Sequence, residues 1–129
     1  MRSVRLALIG LGLAAALSAS CITPSIPIPP PDPARMVFTL TGDAANRSTS
    51  FVYPPDVNYI GSVVLIYDRT KGHGIIEDAK PDGSVGPTAQ MRADVGDEVV
   101  VSFQRDDQTV STCIRLREGS QSSTDYCGP

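Results

Sequence analysis

Tryptophan is absent from this 129-residue chain, histidine occurs once, and aromatic residues make up 5% of the whole. Without indoles the chain lacks the best stacking platform for sugars, and its four tyrosines are too few to replace it. The single histidine, His73, sits in the turn Lys71-Gly72-His73-Gly74. A catalytic imidazole needs a nucleophile and an orienting group, and no supporting motif surrounds this one. No GxSxG, HExxH, P-loop or EF-hand spacing occurs. The expectation is a protein that is not an enzyme, with no catalytic residue and no cofactor.

Positive charge is also scarce. The chain holds 11 Lys and Arg against 14 Asp and Glu, and Arg2 and Arg5 precede the first apolar run. Over residues 22–129 the balance is 9 against 14, a formal net charge of −5. A nucleic-acid partner calls for a basic face, so none is expected.

Long apolar runs are missing except at the start. Arg2 and Arg5 are followed by Leu6–Leu17 (LALIGLGLAAAL), then by the small residues Ser18, Ala19 and Ser20 before Cys21. A basic start, an apolar stretch and a small-residue site make a secretory signal peptide over residues 1–20. The run falls short of the ~20 residues that cross a bilayer, which argues against an uncleaved anchor. Small residues leading into a cysteine resemble the lipobox of bacterial lipoproteins. That resemblance implies a lipid, palmitate included, on Cys21, and membrane attachment at the cell envelope. Ordinary cleavage at the same place would leave Cys21 as a bare N-terminal thiol. Parity favours the lipid: of the three cysteines, lipidation of Cys21 leaves the even pair that an oxidising compartment prefers. Ile22 is not the aspartate that retains enteric lipoproteins at the inner membrane, so the resemblance implies the outer membrane.

Residues 21–35 read as the lipidated cysteine and a tether. Prolines stand at 24, 27, 29, 30, 31 and 33. Proline fixes φ and removes the backbone donor, so the segment should be extended, a semi-rigid spacer of roughly 40 Å at ~3.1 Å per residue. The other reading is a ligand for a proline-recognition domain.

Residues 36–129 suit one small domain. Their hydrophobic pattern has period two. Strands are expected at Met36–Leu40, Thr49–Tyr53, Tyr59–Tyr67, Gly74–Glu77, Val85–Ala93, Asp97–Gln104 and Thr109–Arg117. The nearly continuous apolar run Tyr59–Tyr67 reads as a central strand. Turns fall at Pro54-Pro55-Asp56, 71–74, Pro81-Asp82-Gly83, Val95-Gly96-Asp97 and Asp106-Asp107-Gln108. The expected fold is all-β, a small antiparallel sandwich of about seven strands. SVVLIYD (62–68), DGS (82–84) and GDEVVVSFQRDDQTVS (96–111) resemble bacterial immunoglobulin-like and carboxypeptidase-regulatory-like domains. The resemblance implies an accessory, adhesive or spacer module and carries no catalytic residues.

The tail after Cys113 has no hydrophobic pattern and ends in Cys127-Gly128-Pro129. A Cys113–Cys127 disulfide is expected to pin it, on the sheet face opposite Val110, Ile114 and Leu116. Two free thiols at a metal or redox site would be the rival, without CxxC spacing to support it. Successive loops of a sandwich alternate ends, which would gather Asp78, Asp82, Asp106 and Asp107 as a candidate calcium site. Turn aspartates also occur for local hydrogen bonding alone.

The chain thus reads as a surface lipoprotein presenting a non-catalytic β-domain to an envelope protein or polysaccharide. The competing readings are a pure spacer, or a small enzyme or protease-inhibitor module using the 42–50 loop or the 68–74 turn.

Overall fold

The computed structural model describes residues 26–124, 126 and 127. The leader, Cys21 and residues 22–25 lie outside them, as do Asp125, Gly128 and Pro129. Eight strands form: β1 (Val37–Thr41), β2 (Ser48–Val52), β3 (Val63–Asp68), β4 (His73–Asp78), β5 (Met91–Arg92), β6 (Glu98–Arg105), β7 (Gln108–Arg115) and β8 (Gly119–Ser120). They build two antiparallel four-stranded sheets, ordered β5-β2-β1-β8 and β4-β3-β6-β7. The protein is the expected all-β sandwich, consistent with a small immunoglobulin-like domain.

Two expected strands change. Val85–Ala93 reduces to β5 and one bridge, Tyr53 to Val85, because Gly86-Pro87 interrupts the ladder and proline cannot donate to it. The Tyr59–Tyr67 strand starts only at Val63. Its first residue, Tyr59, ends a 3-10 turn (Val57–Tyr59) capped by Asp56, whose carboxylate accepts from the Asn58 amide at 2.9 Å. The two-residue β8 carries no apolar signal; it pairs Gly119 and Ser120 with Phe38 and Val37.

The core follows the period-two pattern. Val64 and Ile66 of β3, Val99, Val101 and Phe103 of β6 and Ile114 of β7 face Phe38 of β1 and Phe51 of β2. Tyr59 stacks on Phe103 with centroids 4.0 Å apart, and Tyr53 meets the same ring edge-on at 5.4 Å.

Polar groups close both openings of this core. Along the β7 side runs the proline segment, read from sequence as part of a tether. The described part of it packs against the sandwich as a strap. The Ile28 amide donates to Gln108 Oε1 at 2.9 Å, and Gln108 Nε2 donates to the Ile26 carbonyl at 3.0 Å. The Tyr59 and Thr112 hydroxyls donate to the carbonyls of Pro29 and Pro31 at 2.8 and 2.7 Å. Tyr53 Oη accepts from the Asp32 amide at 3.1 Å. Proline offers few amides, so side chains of the sandwich reach its carbonyls instead. Arg35 then lies over the Tyr53 ring and pairs with Asp56 at 2.5 Å.

At one end of the sandwich Asp68, fully buried, lies beside Asp97. Asp68 Oδ1 accepts from the Lys71 amide at 2.9 Å, while Oδ2 has no donor facing it among the described residues. Burial, followed by the hydrogen bond to Asp97, pushes the Asp68 carboxyl up to about 6. Burial acts in the same direction on Asp97, but its bonds to Asp68 and to Lys71 outweigh it and hold that carboxyl low. As pH falls, Asp68 is therefore the member of the pair that takes up a proton first. Lys71 Nζ neutralises Asp97 at 2.6 Å and Asp94 at 3.1 Å.

Candidate functional site

The register of the second sheet sorts its outward side chains into four rows. The first holds Asp78, Val63, Gln104 and Thr109, and the second Ile76, Leu65, Ser102 and Ser111. The third holds Gly74, Tyr67, Val100 and Cys113. The last carries Arg69, Glu98 and Arg115, with Arg69 bonded to Glu98 at 2.5 Å. The Ser102 and Ser111 hydroxyls, 2.7 Å apart, bear out the alignment.

Around β3 this face is apolar where a solvated face should be polar. Ile76 is 69% exposed, and Val63, Leu65 and Tyr67 are each about 40% exposed. Leu65 pairs with Ile76 across the strands and Tyr67 with Val100, so these side chains form one patch rather than scattered singles. In sequence the β3 run reads as a central strand, and in the sheet it does lie between β4 and β6. The structure covers only Val64, Ile66 and Asp68. A run apolar on both faces in a two-layer sandwich has surplus hydrophobicity on the outside, and that surplus was the available signal for the patch.

The Cys113–Cys127 disulfide forms, with Cα atoms 5.1 Å apart. It lies on the outward face, opposite Ile114, as the alternation in β7 implied. The tail runs antiparallel to the β7 edge, with the Cys127 amide donating to the Cys113 carbonyl at 2.9 Å and Tyr126 bridging Ile114. Between this tail and the strap lies a groove of about 400 Å³, lined by Pro30, Pro31, Pro33, Ser111, Cys113 and Tyr126. It could take a small apolar group, but it offers no charged side chain besides Asp32 at its rim.

Among the described residues, the group with ligand atoms close enough to hold a metal is Glu98, Cys113 and Cys127, within 4.8 Å of one another. Its sulfurs are joined in the disulfide, which leaves no thiolate to coordinate. The candidate calcium residues do not form such a group. Asp78 and the Asp106–Asp107 turn do share one end of the sheet, but β3 and β6 lie between them, a separation of about 12 Å at ~4.8 Å per strand. Asp82 is turned onto its own loop, accepting from the Ser84 amide at 3.0 Å and the Ser84 hydroxyl at 2.5 Å. His73 is exposed, its Nε2 2.7 Å from the Arg92 carbonyl, so it ties β4 to β5. The expected leader and the expected lipid on Cys21 fall outside the described residues. Comparison of the chain with protein-family descriptions, with curated proteins and with solved structures found no match.

Proposed function

We propose that this chain is a lipid-anchored envelope protein that presents a non-catalytic β-sandwich for binding, with the outer face of the second sheet as its contact surface. The observation that carries the reading is the contiguous patch of Val63, Leu65, Tyr67, Ile76 and Val100. Water in contact with an apolar face costs free energy in proportion to its area, and docking recovers it. The anchor rests on the sequence: the apolar leader, the small residues before Cys21, and a disulfide that accounts for the other two cysteines. Destination at the outer membrane follows from the resemblance to bacterial lipoproteins.

Both halves are tested on the full chain expressed with its leader. Intact mass of the detergent-extracted protein should show acyl chains on Cys21, and Cys21→Ala should abolish them. Hydrogen exchange in intact envelopes should protect β3 and β4 relative to the purified protein. An unacylated chain would sink the anchor, and equal exchange in both samples would sink the binding face.

A further inference from the structure

The outer face is electrically polarised as well as apolar. Its first row carries one charge, the exposed carboxylate of Asp78, and the Asp106–Asp107 turn lies beyond that row. Its last row carries the guanidinium groups of Arg69 and Arg115 against the single carboxylate of Glu98. Between the two ends the patch is centred on Leu65 and Ile76, which pair directly.

We infer that this face pairs with the same face of a second copy, strands antiparallel, about a two-fold axis passing across the Leu65–Ile76 row. The inference rests on the binding reading above and names its partner. A two-fold operation of this kind stacks Leu65 on Leu65 and Ile76 on Ile76, and sets Val63 of each copy over Tyr67 of the other. It brings Asp78 of each copy over Gly74 of the other, where glycine leaves the space open and Arg69, paired with Glu98, stands one strand and one row away, about 8 Å between main chains. Opposite charges then approach each other twice, which favours this register. The parallel alternative lays acidic end on acidic end and is opposed by the same charges. Four strands at ~4.8 Å and four rows at about 6.7 Å give a face on the order of 500 Å². That is about two thirds of the roughly 800 Å² per partner of a standard stable complex, so the pairing is weak and reversible. Attachment of both copies to membranes would raise their effective concentration enough to sustain it.

Sedimentation of the full chain in detergent over micromolar to millimolar concentration should show a monomer–dimer equilibrium. Leu65→Asp should abolish it. Asp78→Arg should weaken it about tenfold, an effect of the size that one well-placed charge contributes. Asp78→Arg combined with Arg69→Asp should restore it. A monomer throughout the range overturns the proposal, and failure of the double variant to recover overturns the antiparallel register. A benzophenone side chain in place of Ile76, irradiated in intact cells, separates this proposal from the one beneath it. An adduct of twice the chain mass, lost with Leu65→Asp, supports the second copy. An adduct with any other protein overturns the second copy and leaves the binding face standing. No adduct overturns both.

Discussion

Gly83 turns its α-carbon onto the main-chain carbonyl of Asp56, close enough that any side chain there would run into that oxygen. Its φ of +81° adds a second constraint, since L-residues with side chains rarely adopt it. Gly83→Ala should therefore cost about 3 kcal/mol or more in urea denaturation, by backbone overlap plus strain. Gly61 has a φ of +79° but open space around it. Gly61→Ala should cost only about 1 kcal/mol. Equal losses at the two positions would show that the contact with Asp56 contributes nothing.

Asp68 and Asp97 give stability a pH dependence of definite sign. The Asp68 carboxyl is raised to about 6 from an ordinary value of 3.8, so between those pH values the folded state holds a proton that the unfolded chain has released. Stability from this group is greatest below about pH 4 and declines as pH rises to about 6, by up to roughly 3 kcal/mol. Asp97 and Asp56 are held low, and their contribution is lost as acid protonates them below about pH 4. The melting temperature should thus peak near pH 4–5. Asp68→Asn keeps a neutral group in place, so it should raise the melting temperature at pH 7 and flatten the profile between 4 and 7. A profile unchanged by Asp68→Asn would refute the assignment.

The disulfide joins Cys113 and Cys127 across a sequence separation of 14. Reduction, or Cys127→Ser, should cost about 3 kcal/mol in the chain-entropy account. Because the bridge lies outside the core cluster, aromatic packing at Tyr59 and Phe103 should survive, with near-ultraviolet circular dichroism unchanged at 25 °C. Loss of that signal would mean that the tail organises the core and does not merely cover the β7 edge.

Tyr59→Phe deletes the hydroxyl that donates to the Pro29 carbonyl and leaves the ring on Phe103. It should cost about 1 kcal/mol. Gln108→Ala removes both bonds to Ile26 and Ile28, and should speed exchange of the Ile28 amide without changing β1. Unaltered exchange at Ile28 would show that Gln108 does not hold the strap.

The strands β6 and β7 were legible because apolar and polar residues alternate there, and one face is buried while the other meets water or the tail. The disulfide was legible from parity and from a tail with nothing else to hold it. Three features were not. The strap is rich in proline, whose sequence signature is the same for a free spacer and for a segment docked by borrowed hydroxyls and amides. The outward patch was hidden in the β3 run, because a continuous apolar run marks a central strand without saying that its second face meets water. Asp68 is a charge-bearing residue at the end of an apolar strand. The fold sets it beside Asp97, 29 positions away, and no local pattern reports that.

The strap also decides how the domain would respond to mechanical load. A pull on the chain before Ile26 enters through the strap and reaches the sandwich by way of Gln108, Tyr59, Thr112 and Tyr53 in turn. Tension along the β7 axis shears those attachments together, whereas tension across it peels them singly, starting at Gln108. Beyond the strap the next element under tension is β1, flanked by β2 and β8. The disulfide, at the far end of β7, lies off this line and bears none of the force. The same ten residues that close the core are therefore a fuse: extension would strip the strap first and lengthen the linkage while both sheets stayed folded.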